Sequence, residues 1–193
     1  MTPATAEREY TTVDKATWPR GPWNDEPDKT QWVDEATGLD CLAVRGPSGS
    51  WCGYVGLSPE HPWHGLEYSD AVDGRKMPMD AGSFSAPVPD RGSPDAVDWE
   101  DEIQAHLEAH GGITFSGACR EGRDESLGIC HVPAPGRPEN VWWFGFDCAH
   151  LGDLSPNYAR DGFNDACDEY RTLDYVKRET ASLAAQLEKS ARR

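Results

Sequence analysis

The chain has 193 residues, 37% of them hydrophobic, with 19 glycines, 15 prolines and a net charge of −16. This length suits one domain with a real core, and the glycine and proline content describes a loop-rich globular protein rather than a helical bundle. The charge excludes free nucleic acid as a direct partner, because counterion displacement needs a basic stripe, and eight tryptophans are too many for a disordered chain.

Residues 1–17 are polar and are expected to form a flexible N-terminal tail without an apolar leader. Residues 18–193 then make a single α+β domain. Trp18, Trp23 and Trp32 lie among prolines and acids, which predicts an irregular arm laying its indoles over the core. Leu39–Arg45 and Trp51–Leu57 read as two strands joined by the turn residues Gly46-Pro47-Ser48-Gly49. Residues 66–98 are poor in large apolar side chains and rich in turn formers, so they read as an insertion or flexible excursion, with Met77, Met79 and Phe84 tacking it down.

Residues 99–110 alternate at Ile103, Ala105, Leu107 and Ala109, which favours a strand over a helix. Leu127–Val132 reads as a short strand before a proline-rich loop. Val141–Cys148 is the most apolar segment and is expected to be a central strand, with Gly145 leaving room for a neighbour. Adjacent Trp142 and Trp143 must then point to opposite faces. Thr172–Ser190 is a helix capped by Thr172, with an apolar stripe of Leu173, Val176, Leu183 and Leu187 interrupted by Thr180. The expected architecture is a mainly antiparallel sheet of about five strands covered by this helix at 172–190.

No apolar run approaches the ~20 residues of a membrane span. A cytoplasmic location without a membrane partner is expected, and the six cysteines are then thiols. None forms a Cys-x-x-Cys pair.

Three polar knots sit at the ends of apolar runs: His61-Pro62-Trp63-His64-Gly65, His110-Gly111-Gly112 and Asp147–Asp153. Polar groups at strand ends are where a scaffold presents chemistry to a ligand. His61, His64, His110, Gly111, Gly112, Thr114, Asp147, His150 and Asp153 are therefore the candidate ligand-binding residues. Trp51, Trp63, Trp142 and Trp143 offer stacking faces for a flat ring. No resident cofactor is required, but His61, His64, His150 and Asp153 are a candidate set for a divalent metal, three ligands and an open position being a catalytic zinc pattern. Cys148 with His150 or His110 and Asp147 could compose a nucleophilic set. Asp161–Asp165 reads as a turn rather than a calcium loop.

Three stretches together resemble a set of small bacterial and bacteriophage proteins with no established activity: Gly21-Pro22-Trp23 through Cys52-Gly53-Tyr54-Val55; His110-Gly111-Gly112-Ile113-Thr114; and Ile129–Pro133 with Trp142–Asp147. The resemblance covers most of residues 20–187, excludes 66–98 and implies a soluble protein carried by phage or mobile elements. Three functions are then expected in turn. The first is binding of a small polar molecule, such as a nucleotide-like signal to be sequestered, by the three knots acting together. The second is a metal-dependent hydrolase. The third is an acidic decoy or interaction module for a basic protein partner.

Overall fold

The computed structural model describes residues 7–76, 97–119, 124–158, 165 and 167–192. Its strands are β1 (Arg8–Tyr10), β2 (Lys29–Val33), β3 (Asp40–Arg45), β4 (Trp51–Leu57), β5 (Phe115–Ala118) and β6 (Trp142–Asp147), followed by helix α1 (Leu173–Ser190). They make an antiparallel six-stranded sheet in the order β1-β2-β3-β4-β6-β5. The fold is α+β, with one strand more than expected.

The central hairpin forms where its residues predict. Gly49 takes a φ of +87°, which closes the turn between β3 and β4. β6 is central, as its apolar run requires, and Trp143 and Trp142 point to opposite faces. Trp143 joins Leu42 and Val141 on one face, whereas Trp142 packs against the main core. Gly145 admits the Tyr54 ring, which a Cβ there would meet at 2.3 Å.

The other face carries the main core, sealed by α1. The Thr172 hydroxyl accepts from Tyr175 N–H at 3.3 Å, and Leu173, Val176, Leu183 and Leu187 are all buried. Thr180, the polar break in that stripe, is buried too. Gly53 explains how: a Cβ there would stand 2.5 Å from both Thr180 Oγ1 and the Phe146 ring. The missing side chain lets helix and sheet approach closely.

Several segments depart from expectation. Part of the predicted tail is ordered, since Arg8–Tyr10 pairs with β2 and the buried Asp28 carboxylate accepts from Thr12 and Val13 N–H at 2.8 Å. The tryptophan arm contains β2. Residues 99–110 form 3₁₀ turns at Trp99–Asp101 and Ile103–His106 instead of a strand. Ile103 and Gln104 N–H reach Asp70 and Tyr68 carbonyls (both 2.9 Å), which burial of Ile103 and Leu107 accompanies. Leu127–Val132 is not a strand either, because β2 side chains take its backbone groups. Lys29 Nζ donates to the carbonyls of Glu125 (2.7 Å) and Cys130, and Gln31 Oε1 accepts from Val132 N–H at 3.0 Å. Cys119 and Cys130 are joined in a disulfide rather than being thiols. Cys41 and Cys148 are free and buried as expected. Met77, Met79, Phe84 and most of Asp161–Asp165 lie outside the described residues. No described helix is long and apolar enough to cross a membrane.

A buried polar knot fixes where α1 begins. The Glu26 carboxylate accepts from Leu173 N–H (2.9 Å), Trp51 Nε1 (3.2 Å), Arg45 Nη2 (3.1 Å) and the Tyr170 hydroxyl. A carboxylate on the first-turn amides suits the positive end of the helix dipole. The helix start is thereby tied to the β3–β4 end of the sheet.

Candidate functional site

Phe115 of β5 pairs with Gly145 of β6, and the strands are antiparallel. The start of β5 and the end of β6 therefore share one end of the sheet. The His110 knot enters the first and the Asp147 knot leaves the second. Thr114 joins them, donating its N–H to Gly145 O and its hydroxyl to Asp147 Oδ2, both at 2.9 Å. The start of α1 arrives at the same end and adds Arg171 and Tyr175.

Each knot is a tight turn with glycine in its third position. Gly112 N–H donates to Ala109 O (3.0 Å) around Gly111 at φ +68°, and Asp153 N–H donates to His150 O (3.0 Å) around Gly152 at φ +92°. Only glycine takes this left-handed conformation at little cost. Gly111 has a second reason to be glycine: a Cβ there would stand 2.1 Å from His150 Cε1. The two histidine rings meet edge to face, with centroids 5.7 Å apart and an interplanar angle of 62°.

Asp153 is the hub, its side chain only 2% exposed. Oδ2 accepts from His110 Nε2 (2.7 Å) and His150 N–H (3.1 Å), and Oδ1 accepts from Arg171 Nε (2.8 Å). Burial works to raise its pKa, but the bonds from Arg171, His110 and His150 N–H outweigh it and hold the carboxyl below its ordinary value. His110 Nδ1 lies 2.9 Å from the Tyr175 hydroxyl.

His150 Nδ1 is different. It lies 3.8 Å from Asp153 Oδ2 and 3.8 Å from Asp147 Oδ1, too far for hydrogen bonds, and it is buried without a partner. One ring nitrogen from each histidine and one Asp153 oxygen lie within 4.8 Å of one another. Two imidazoles and a carboxylate are a donor set for zinc or a neighbouring transition metal. Zinc at roughly 2.1 Å from each ligand wants donors about 3.3 Å apart. The 2.7 Å His110–Asp153 contact must open slightly and the 3.8 Å His150–Asp153 contact must close slightly. The donors, which spread over as much as 4.8 Å, must also draw together toward that spacing.

The structure thus gathers His110, Gly111, Gly112, Thr114, Asp147, His150 and Asp153. It does not bring His61 and His64 to them. β4 also runs antiparallel to β6, with Leu57 opposite Trp142 and Cys52 opposite Asp147. The His61 knot follows Leu57, so it lies at the opposite end of the sheet from Asp147. There His61 Nε2 bonds Leu187 O (3.0 Å) at the far end of α1, and His61 Nδ1 accepts from Trp63 N–H (3.0 Å). Tyr175 and Leu187 are twelve residues apart, about 18 Å along a helix. His61 braces a loop against the helix, and His64 packs its ring near Trp142 at 6.3 Å. Among the described residues, the group that could hold a metal is His110, His150 and Asp153 in place of His61, His64, His150 and Asp153.

The other expected chemistry also changes. Burial pushes the Cys148 thiol well above its ordinary pKa, with Asp153 adding to the effect, so it is a core group and no nucleophile. Trp51, Trp63 and Trp143 are buried, and Trp142 donates its Nε1 to Leu66 O (2.7 Å), so these rings build the core rather than a stacking wall. Arg171 and Tyr175 were not legible as site residues. They flank the N-cap of α1, and only the tertiary placement of the helix start brings them in. No family model, curated protein or solved structure matches the chain.

Proposed function

We propose that this protein holds a divalent transition metal on His110, His150 and Asp153 and presents its remaining coordination position to water or a small polar ligand. The observation that carries this reading is His150 Nδ1, a buried ring nitrogen with no hydrogen-bond partner and a carboxylate oxygen 3.8 Å away on either side, in a cluster whose donors lie within 4.8 Å. A buried imidazole nitrogen normally finds a hydrogen bond, and a metal would supply the missing interaction.

Three protein ligands with an open position would lower the pKa of a bound water and polarise a bound oxygen. Hydrolysis of a small polar substrate is the reaction this set supports best. Asp147 lies beside His150, with Oδ1 held by Ala149 N–H at 3.0 Å, where its carboxylate can orient the ring or the bound molecule. Arg171 and Gly111 serve positioning, one by holding Asp153 and the other by giving His150 its place. The Cys119–Cys130 disulfide favours an oxidising compartment over the cytoplasm.

Metal analysis and zinc titration of untagged protein test the reading. One equivalent per chain in the wild type, lost in His150→Ala with the fold intact, is the expected result. A wild type that takes up no zinc, manganese or iron would overturn it.

A further inference from the structure

We infer that His110 exchanges one ring tautomer for the other when a metal enters, and that Tyr175 is the positioning residue that serves both. This rests on the metal reading above and assigns a role to a side chain outside the ligand set.

The argument starts from the partners of the two ring nitrogens. His110 Nε2 faces Asp153 Oδ2 at 2.7 Å. A carboxylate can only accept, so whenever the ring is neutral and metal-free it is Nε2 that carries the proton. Nδ1 is then a lone pair, and the Tyr175 hydroxyl at 2.9 Å donates to it. A metal needs a lone pair from the nitrogen that faces Asp153. The ring must then carry its proton on Nδ1, and that N–H donates to the Tyr175 oxygen. The Nε2 proton leaves to water, Nδ1 takes one from water, and the hydroxyl keeps its own, so the exchange leaves the charge of the ring unchanged.

Only a partner that both donates and accepts can satisfy Nδ1 in both states. A hydroxyl does so by rotating. A backbone carbonyl or a carboxylate would favour the metal-ready tautomer alone. The same chain shows the fixed alternative. His61 Nε2 faces the Leu187 carbonyl, and its Nδ1 accepts from Trp63 N–H, so one tautomer alone satisfies that ring.

The Tyr175 ring is held where this role requires. It stands edge-on to His110 at 5.6 Å and 90°, with the Arg171 guanidinium 5.2 Å from its centroid. Its backbone lies in the capped first turn of α1. Arg171 also bonds Asp153, so the partners of His110 on both sides are fixed from one short stretch of chain. Partners of this kind, behind a ligating histidine, orient the ring and tune its basicity.

The test uses the full chain, labelled with ¹⁵N, and zinc as the probe. Long-range ¹H–¹⁵N spectra at mildly alkaline pH, where imidazole is neutral, report the tautomer of each histidine. The expected result is Nε2–H for His110 without metal, Nδ1–H with zinc, and no change at His61. Tyr175→Phe should bind zinc about 10–100-fold more weakly while the cobalt-substituted spectrum keeps its shape, as loss of a ligand-orienting partner would give. Zinc binding by the wild type with His110 in one tautomer throughout would overturn this inference and leave the metal reading standing. Tyr175→Phe binding as tightly as the wild type would also overturn it. A wild type that binds no zinc would remove both.

Discussion

Replacing Gly111 by alanine separates the two reasons for glycine at that position, with Gly112→Ala as the matched control. Both residues have positive φ, +68° and +92°. Each alanine therefore incurs about 1–2 kcal/mol from the left-handed backbone. In a protein of this size that corresponds to a fall in Tm of roughly 2–8 °C. The variants differ in what the new methyl meets. At Gly112 nothing lies within 4 Å, whereas at Gly111 it would sit 2.1–2.5 Å from three atoms of the His150 ring. Ordinary contact begins at about 3.5 Å, so the ring must retreat by more than 1 Å or the Gly111 turn must open. A displacement of that size disturbs the placement of Nδ1 relative to the Asp153 oxygen, now 3.8 Å distant. Gly111→Ala should thus lose zinc binding nearly as completely as His150→Ala, and Gly112→Ala should keep it despite a similar drop in Tm. Isothermal titration with zinc, beside thermal melts of each variant, measures both quantities. Equal zinc affinity in the two alanine variants would refute the claim that His150 depends on the gap above Gly111.

His61→Ala should behave in the opposite way, costing about 1–3 kcal/mol because Trp63 N–H loses its partner, whereas Leu187 O keeps the Ser190 hydroxyl and Ala191 N–H. Zinc affinity should not move, which titration and chemical denaturation check together. Acid should weaken the fold through Glu26 and Asp28. Burial works to raise both pKa values, but the hydrogen bonds of Leu173, Tyr170, Trp51 and Arg45 to Glu26, and of Lys15, Val13 and Thr12 to Asp28, leave both below their ordinary values. Groups lowered in the folded state contribute stability above the unfolded pKa of about 4 and lose it as pH falls through the folded value. Denaturation curves from neutral to acid pH should show stability falling below about pH 4, and Glu26→Gln should flatten that fall.

The elements that could be read from the sequence are those whose signal is local. The β3–β4 hairpin, β6 and α1 each carry their own turn, apolar run or cap, and each forms within a residue or two of its expected place. The misread segments are those whose backbone bonds to distant residues. Leu127–Val132 has strand-like side chains, but Lys29 and Gln31 of β2 bond its carbonyls and amides, which no local pattern announces. Residues 99–110 likewise alternate as a strand would, yet the 66–76 stretch supplies their partners. The disulfide was hidden for a related reason. Cys119 and Cys130 are eleven residues apart and match no ligand motif, so their pairing has no local signature.

The site itself turns on strand direction. All three knots are strand-end knots, and their composition is equally polar, so residue type alone could not say which of them meet. In an antiparallel pair, however, the end of one strand adjoins the start of its neighbour. β6 is flanked by β4 and β5, both antiparallel to it. The segment leaving β6 must then meet the segment entering β5 and the one entering β4, and it cannot meet the segment leaving β4. The first pairing joins His150 to His110, and the last separates both from His61. The Arg45 guanidinium and the Glu26 carboxylate, which tie the segment entering β4 to the start of α1, complete the same end of the sheet. The helix then runs back across the sheet to His61, so one element supplies Tyr175 to the candidate metal centre and a carbonyl to the loop brace. The separation of those two ends is a property of the strand pairing, with β4 and β5 both antiparallel to β6.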